Sequence, residues 1–392
     1  MNVLELKAAY LKYMGEHSPI WANRKPTSLV DFPSGDCFAV DGHTNWFTRR
    51  LTRDPWSSEA FSHCARCLSS QTSGNRFFLK LEGLGWNMFN RRKAIKDNVG
   101  FLREIGLDTA RLKVSVWKGG KFTGKGVNAA GAGIEPEGSS WEGIEIPADR
   151  ESIDAWEESG LAGGQIVELG EGERLDDASS GVIHLRSAVP FAGIRTGICY
   201  SVKDRYVEIG ESIVDLFVKK KVASRMHVAS AALENADSGE FLVRLKAKTI
   251  TGGFGAERLA MVLNRNETIF ELEPYRDMES FLVAQGRAAD RDRDRVRKAI
   301  ANIPAIVWLV NDGANRTEGS TKPRQAIFCD ILQTLIDNMR ELDLESDSAY
   351  LTLFRHACDF YARDDDFRSV AGLEAACLVE IKKQQRRMKA AT

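Results

Sequence analysis

Hydrophobic and polar positions follow two different periods along the chain, and the change between them separates two regions. Residues 61–68 and 76–84 alternate as two strands joined by a polar loop, and RLKVSVW (111–117) alternates as a half-buried strand. Short strands are predicted to continue through residues 164–250. Further along the chain the apolar positions take the helical period, most regularly in a helix that Pro323 opens.

Helices are also predicted among the strands. Their signals are an apolar stripe or a glycine stop, and they cover residues 3–14 (a surface helix), 91–105 before Gly106, and 151–159 before Gly160. Residues 119–147 are rich in glycine and lack periodicity, which indicates a long loop or insertion. The predicted fold class is α+β, with a mixed, mainly antiparallel sheet flanked by helices over residues 1–284 and an α-helical domain over 285–392.

Composition limits the choice of partners. The 392 residues include 54 Lys and Arg against 55 Asp and Glu, so the formal net charge of −1 gives no global electrostatic case for nucleic-acid or membrane binding. No apolar run approaches the roughly 18 residues of a membrane span, and the N-terminus lacks the apolar core of a signal peptide. Seven cysteines are a sparse, odd set, which predicts a reduced, cytoplasmic protein.

Two motifs suggest chemistry that the surrounding residues do not support. The spacing Gly119-x4-Gly124-Lys125 follows a predicted strand as a phosphate-binding P-loop does, but Gly126 stands where a Ser or Thr hydroxyl is needed for Mg²⁺. Cys64-Ala65-Arg66-Cys67 has the CxxC spacing, yet the chain has no second pair to complete four zinc ligands. Cysteines carried by a strand are the better interpretation.

The strongest local signal is the segment TGGFGAERLAMVL, residues 251–263. Gly253 and Gly255 stand between a predicted strand and an apolar helix, where glycine lets the backbone approach a ligand closely. Arg258 falls in the first turn of that helix and suits a phosphate or a purine. From the residues alone, a tight turn with a surface arginine is equally consistent with this segment.

This segment resembles motif 3 of the class II aminoacyl-tRNA synthetases, whose core is GxGxxR, and the following Thr268-Ile269-Phe270 resembles alanyl-tRNA synthetases in particular. Other segments resemble that family in the same order along residues 1–330. They are KAAYLKYMGEHSPI with Lys25-Pro26-Thr27, Cys64-Ala65-Arg66, FFLKLEGLGWNMFNRRKAI, RLKVSVW, SIDAWEESGL, IVELGEGE, RYVEIGESIVDLF and AIVWLVNDGANRTEG. The chain is therefore similar to a shortened, free-standing relative of the alanyl-tRNA synthetase catalytic region.

The resemblance implies ATP-dependent formation of an aminoacyl-adenylate on an antiparallel sheet. Arg66 matches the motif 2 arginine that contacts the α-phosphate and the substrate carboxylate, and Arg258 matches the motif 3 arginine at the γ-phosphate and adenine. Phe78 matches the aromatic residue on the other face of adenine, and Arg76 is a candidate for a second phosphate contact. Gly253 and Gly255 complete the implied ATP site.

The amino-acid site implied by the resemblance is altered in this chain. The family's aspartate before motif 3 falls on Thr251 or Gly252, and its Trp-Asn pair becomes Gly210-Glu211. We therefore expect Glu211 to receive the substrate's amino group and Gly210 to enlarge the pocket, with alanine or a larger relative as the substrate. Glu208 and Glu211 match the strand that supplies carboxylates to Mg²⁺. Without the resemblance, both glutamates are better assigned to a solvated strand face.

The acceptor is the least determined part of the resemblance. Arg316, Lys322 and Arg324 lie near the start of the Pro323 helix and are candidate contacts to a tRNA acceptor stem. Only 10 positions separate Arg66 from Arg76, so the loop between them is shorter than the family's, and no editing domain is present. Transfer to tRNA is slightly favoured over a small amine or a carrier protein. A non-catalytic paralogue remains the alternative from another class, and a monomer or homodimer is expected.

Overall fold

A computed structural model provides the structure of the protein. It describes residues 1–17, 22–23, 28–30, 59–68, 76–86, 90–122, 144–175, 181–185, 191–221, 240–245, 249–285, 292–315, 321–367 and 371–391. In that part of the chain, no helix is both long and apolar enough to cross a membrane.

A mixed, mainly antiparallel sheet forms the centre of the molecule. Its strands follow one another in the spatial order β1-β2-β3-β12-β10-β9-β4-β7, with β11 pairing with β10 and β8 with β9, while β5 and β6 form a separate hairpin. Among the strands of the described residues, only β1–β2 and β4–β7 pair in parallel. The strands are β1 (Ala22–Asn23), β2 (Glu59–Leu68), β3 (Phe77–Trp86), β4 (Leu112–Trp117), β5 (Gly120–Phe122), β6 (Ile144–Ile146), β7 (Ile166–Leu169), β8 (Ile183–Leu185), β9 (Phe191–Val202), β10 (Arg205–Lys221), β11 (Glu240–Arg244) and β12 (Thr249–Gly255).

Helices flank the sheet and make up the C-terminal part of the chain, as predicted. They are α1 (Val3–His17), α2 (Arg91–Glu104), α3 (Arg150–Glu158), α4 (Ala256–Leu263), α5 (Tyr275–Ala284), α6 (Arg293–Ile300), α7 (Ile303–Asn311), α8 (Lys322–Glu341), α9 (Asp347–Tyr361) and α10 (Leu373–Ala391). The predicted α+β class, a sheet flanked by helices and followed by a helical region, is confirmed.

Local sequence signals explain several helix boundaries. The Asn90 side chain accepts a hydrogen bond from the Lys93 backbone N–H at the start of α2, and Gly106, with φ +79°, follows its end. Thr321 caps α8 by accepting from the Arg324 backbone N–H, and Pro323 stands in the first turn, where its missing N–H costs nothing. These caps correspond to the stops and starts predicted from the sequence.

The two faces of the sheet differ in chemistry because side chains alternate along each strand. One face, here called the core face, carries the apolar residues Leu79, Leu81, Ile250 and Phe254, which belong to the main hydrophobic cluster. The other, here called the charged face, carries the residues next to them in sequence. Helices α1, α2 and α4 contribute to the same cluster as the core-face residues.

The hydrophobic cluster continues from the sheet into the C-terminal helices. Phe77 at the start of β3 stacks on Trp308 of α7, with ring centroids 5.6 Å apart and planes 14° apart. Lys7 of α1 adds a polar link, since its ammonium lies 2.5 Å from carboxylate oxygens of both Asp364 and Asp366. Apolar packing therefore crosses position 284, where we expected a domain boundary.

Helix α1 lies at the surface, as predicted, and packs Leu6, Tyr10 and Met14 into the core. Three local differences from the predicted elements concern the strands and the glycine-rich segment. The predicted strand FLVRLKAKTI is divided between β11 and β12. The glycines of residues 252–255 lie inside β12, rather than in a turn after a strand. The glycine-rich segment predicted as a loop begins and ends in the β5–β6 hairpin, and residues 123–143 lie outside the described part of the chain.

Candidate functional site

A line of ion pairs crosses the charged face from β3 to β10. The Lys80 ammonium lies 2.6 Å from Oε1 of Glu82 and 2.7 Å from Oε1 of Glu211. All three side chains are almost entirely withdrawn from solvent, with Glu211 the most exposed at 12%. Buried carboxylates in water-poor surroundings need such partners, so these pairs hold the side chains in fixed positions.

Arg195 of β9 extends the line to a further glutamate. Its Nε donates to Oε2 of Glu211 over 2.6 Å, and its Nη2 donates to Oε1 of Glu208. Burial by itself lowers the pKa of Arg195, but the neighbouring charges of Glu208 and Glu211 outweigh burial and raise that pKa above the ordinary value for arginine. Arg195 therefore stays protonated, and two carboxylates share its single positive charge.

His63 of β2 closes the other end of the line. Its Nε2 lies 3.0 Å from Oε2 of Glu82, and both side chains are buried. The register explains this contact, because His63 pairs with Glu82 across the β2–β3 ladder and paired residues share a face. The line of polar contacts thus runs from β2 through β3 and β10 to β9, and it includes His63, Glu82, Lys80, Glu211, Arg195 and Glu208.

Strand β12 passes beneath this line because it carries glycine where the side chains cross it. Gly253 lies between Glu82 of β3 and Glu211 of β10, and Gly255 lies beside Lys80. Strand β12 separates β3 from β10, so the Lys80–Glu211 pair spans two strand spacings, roughly 10 Å in all. A Cβ added at Gly253 would overlap the Leu81 carbonyl oxygen, so this position requires glycine.

Gly255 differs from Gly253 in having room above it. No described atom lies within 4 Å of the position that a Cβ would take at Gly255. Gly255 is also the N-cap residue of α4, and no side chain caps that helix. Backbone N–H groups at a helix N-terminus attract anions, and the open space beside Lys80 lies next to them.

Arg258 in the first turn of α4 is exposed and reaches back to the sheet. Its Nη1 donates to the backbone carbonyl oxygen of Glu208 over 3.1 Å, which ties the strand–helix junction to the strand that carries Glu208 and Glu211. Phe78 is half-buried and stands two residues before Lys80 in β3, so alternation puts it on the charged face. The structure thus brings Phe78, Gly253, Gly255, Glu208 and Glu211 to one face, with Arg258 at its margin.

Arg66 and Arg76, which we expected in the ATP site, point away from the charged face and contact the C-terminal helices. Ala65 shares the charged face with Lys80, so the next residue, Arg66, falls on the core face. The Arg66 Nη1 donates to Oδ1 of Asp312 over 2.8 Å, and its guanidinium lies 4.8 Å from the Trp308 ring centroid. Arg76 is buried and pairs with Asp330 of α8. The structure therefore does not bring these two arginines to the glutamates of β10.

The predicted amino-acid pocket is only partly assembled. Gly210 pairs with Phe254, and a Cβ at Gly210 would lie 2.6 Å from a carbon of the Phe254 ring, so its missing side chain makes room on the core face rather than in a substrate pocket. Thr251 lies on the charged face; it is buried, and its Oγ1 has no hydrogen-bond partner in the described part of the chain. Both carboxylate oxygens of Glu211 are engaged, by Lys80 and by Arg195.

The expected magnesium ligands are also engaged. Glu208 and Glu211 share the Arg195 guanidinium, so a cation already lies between their carboxylates. Within the described ranges, no group of three or more His, Cys, Asp or Glu side chains is arranged to hold a metal ion. The residues present at this pair therefore do not fit Mg²⁺.

Of the two candidate acceptor contacts that the structure describes, one is accessible. Lys322 is exposed at the start of α8, whereas Arg324 is buried at 6% exposure. Arg316 lies outside the described residues. A buried arginine cannot meet a nucleic-acid backbone without rearrangement, so Lys322 is the described residue that suits this role.

Sequence reasoning missed Lys80, Glu82, His63 and Arg195. The pattern Lys80-Leu81-Glu82 in a predicted strand did carry a signal, because residues two apart share a face and an apolar residue between two charges marks the other face as buried. Arg195 carried no comparable signal, since its pairing with β10 depends on strand order and register.

A buried glutamate on the other side of the sheet behaves differently. Glu257 in α4 accepts hydrogen bonds from the Leu79 backbone N–H, 3.1 Å from each carboxylate oxygen. Burial raises the pKa of Glu257 to about 8, against the lowering effect of backbone hydrogen bonds and of Arg258. Glu257 therefore titrates near neutral pH and helps to join α4 to β3.

Solved structures resemble part of this chain at low sequence identity. No family model matches the chain, and no curated protein matches it. A structure of apo S. aureus histidyl-tRNA synthetase aligns with 67% of this chain and 66% of its own, at 10% identity and a TM-score of 0.34. A histidine–tRNA ligase subunit from Alicyclobacillus acidocaldarius subsp. acidocaldarius DSM 446 aligns with 66% of this chain and 92% of its own, also at 10% identity and a TM-score of 0.34. The chain thus spans just under two thirds of the first of these structures, and this degree of similarity identifies no activity.

Proposed function

We propose that this chain uses ATP to activate an amino acid, alanine or a larger relative, as an aminoacyl-adenylate and then transfers it to an acceptor. The position of the glycine-bearing strand β12 carries the proposal. Lys80 and Glu211 meet above it, and it leads directly into the uncapped N-terminus of α4 and Arg258. Cations beside a helix N-terminus and an open backbone surface suit the phosphates of a nucleotide.

In the proposed reaction, a carboxylate oxygen of the amino acid forms a bond to the α-phosphorus of ATP. The bond from that phosphorus to the oxygen that bridges to the β-phosphate breaks, and pyrophosphate leaves with the electron pair. Negative charge grows on the phosphate oxygens in the transition state, so cations held in place lower the barrier. We assign this role to Lys80 and Arg258, and contact with the adenine ring to Phe78.

Lys80 links the nucleotide to the amino acid in this proposal. Its ammonium lies 2.7 Å from Oε1 of Glu211. When Lys80 turns toward a phosphate above Gly255, that oxygen loses its lysine partner and becomes the acceptor for the ammonium group of the substrate. A buried ammonium requires such a paired charge. The unsatisfied Oγ1 of Thr251, on the same face, supplies a further polar contact.

The acceptor that we favour is the 3′ end of a tRNA in the cytoplasm. The exposed Lys322 at the start of α8 supports phosphate contacts from the helical region. Transfer to a small-molecule amine or a carrier protein is the alternative, because the loop before β3 is short. A non-catalytic paralogue that only binds nucleotide is the remaining alternative.

ATP–pyrophosphate exchange tests the proposal most simply. The wild-type protein should catalyse exchange with one or a few acids from a panel of amino acids. Arg258→Ala should lower the exchange rate by about 10²–10³-fold, the loss typical of removing one transition-state charge contact. Arg276→Ala, which removes an exposed arginine of α5, is the matched control and should leave exchange unchanged. Wild-type exchange in the Arg258 variant, or exchange with no acid, would reject the proposal.

A gel-shift titration against total tRNA tests the acceptor. Binding should weaken steeply between low and moderate salt, because phosphate contacts release counterions. Lys322→Glu should weaken binding, whereas Lys12→Glu on the exposed side of α1 should not. Pyrophosphate exchange should be unaffected by either change. Binding weaker than about 10⁻⁴ M at low salt would direct the search to an amine or a carrier protein.

A further inference from the structure

Glu208 and Glu211 are held to one cation from a neighbouring strand. The Arg195 guanidinium donates Nη2 to Glu208, Nε to Glu211 and Nη1 to the Gly181 carbonyl oxygen, the last over 3.3 Å. The guanidinium is buried, with 4% of its side chain exposed. Five N–H groups in a planar fork suit this arrangement, which bridges two carboxylates and a carbonyl oxygen.

The backbone is shaped to produce this arrangement. Residues three apart in a regular strand point to opposite faces, but the β9–β10 register shifts between Glu208 and Gly210, so Glu208 and Glu211 reach the same face. Opposite Glu211 stands Gly197, where an added Cβ would lie 3.5 Å from Nη1 of Arg195 and 3.8 Å from Oε2 of Glu208. The bulge thus brings both carboxylates to one flat cation, and a methyl group at Gly197 would be in ordinary van der Waals contact with that cation.

We propose that the Arg195 guanidinium occupies the cation position of the Glu208–Glu211 pair, so that this pair binds no divalent metal ion while Arg195 is present. A metal ion would have to displace a buried arginine and leave its charge without partners, which is costly. The proposal is independent of the reaction proposed above, because it concerns metal binding by the protein alone. It predicts that removal of Arg195 exposes a metal site.

Titration with Mn²⁺ alone, followed by electron paramagnetic resonance in the absence of nucleotide, tests this proposal. Arg195→Met should acquire one Mn²⁺ per chain with a dissociation constant of about 10⁻⁴–10⁻³ M, the range of weak sites with oxygen ligands. The double variant Arg195→Met/Glu208→Gln should lose that site. The wild-type protein and Glu208→Gln should give the same titration, because neither offers a vacant carboxylate pair.

Two results would overturn the proposal. One is Mn²⁺ binding by the wild-type protein that Glu208→Gln weakens tenfold or more, because the pair would then hold a metal beside Arg195. The other is a folded Arg195→Met protein that acquires no Mn²⁺, because the guanidinium would then not stand in a cation position. If Arg195→Met does not fold, as judged by circular dichroism, the comparison of wild type with Glu208→Gln decides alone.

Discussion

The two faces of the central sheet both bury charged groups, but they hold them in opposite ways. On the charged face, Lys80, Arg195 and their glutamates form a line of contacts across the sheet strands. On the core face, Arg66 makes a local pair with Asp312 against the Trp308 ring. Buried charges on the two faces of one sheet thus have different roles, since the first arrangement lies beside an open backbone surface and the second joins helix α7 to the sheet.

The buried glutamates show the same contrast. Glu211 lies between two cations, whereas Glu257 at the start of α4 relies on the Leu79 backbone N–H and has its pKa raised to about 8 by burial. The two cations hold the Glu211 carboxylate in place beside the open backbone surface. For Glu257, burial outweighs the backbone hydrogen bonds and the nearby Arg258, so this side chain takes up a proton near neutral pH and acts on stability.

Removal of Arg66 should break the core-face arrangement and have the largest effect on stability. Arg66→Met leaves Asp312 buried without its cation, so we expect a loss of about 3–5 kcal/mol in the free energy of unfolding, measured with urea. Arg66→Met/Asp312→Asn should recover part of the loss, because the amide still accepts from the Leu29 backbone N–H. The rate of pyrophosphate exchange per folded molecule should not change. A loss of exchange in folded Arg66→Met would mean that Arg66 contacts ATP.

Removal of Lys80 should interrupt the ion pairs with Glu82 and Glu211 on the charged face and lower the catalytic rate. Lys80→Met should lower pyrophosphate exchange by about 10²–10³-fold and raise the KM for ATP, because a phosphate contact is lost. Lys80→Arg should retain a measurable part of the activity, since it keeps the charge. Lys118→Met, which removes an exposed lysine paired with Glu173, is the control. An active Lys80→Met enzyme would mean that the line of ion pairs is structural only.

Glu257 on the core face should make the stability of the protein depend on pH. Its folded-state pKa of about 8 lies above the ordinary glutamate value of 4.5, so the folded protein binds an extra proton between these two pH values. Stability from this group is complete below pH 4.5 and decreases as pH rises toward 8, by up to about 1.4 kcal/mol per pH unit. Urea unfolding of Glu257→Gln across this range should show a flatter dependence. An unchanged slope would assign the pH dependence to other groups.

Substitution of Gly255 tests whether ATP binds at the open backbone surface, and it should change stability the least. Gly255→Ala adds a methyl group where no described atom lies within 4 Å, so the free energy of unfolding should change by less than about 0.5 kcal/mol. The same methyl group should weaken ATP binding, measured by calorimetry, because it occupies the proposed phosphate position. Gly253→Ala is the contrast and should destabilise strongly, since its Cβ overlaps β3. If Gly255→Ala binds ATP with unaltered affinity, the phosphates do not lie above Gly255.

The sequence predicted the fold better than the site, for physical reasons. Alternation and helix caps are local, so β2, β3, α2 and α8 could be found from neighbouring residues. The face on which Arg66 lies depends on where the strand's alternation begins. The sequence resemblance aligned that residue with a family motif without determining its direction, and the structure turns it toward α7.

The contacts that the sequence did not predict depend mostly on the register between strands. Arg195 and Glu208 come together only because β9 pairs with β10 and a bulge shifts the register. We expected Gly210 to line a pocket because the sequence does not reveal this bulge. The bulge places Gly210 against Phe254 on the core face. Such contacts join residues 13 or more positions apart through strand order, which no local pattern records.

A structure of the protein with a non-hydrolysable ATP analogue tests the central claim most directly. The account predicts phosphate oxygens above Gly255, within hydrogen-bond distance of Lys80 and Arg258, and adenine against Phe78. It also predicts that the Lys80–Glu211 contact has opened, while Arg66 still pairs with Asp312. Phosphates bound to Arg66 on the core face, with the Lys80–Glu211 contact intact, would contradict the claim that the charged face is the site of ATP-dependent chemistry.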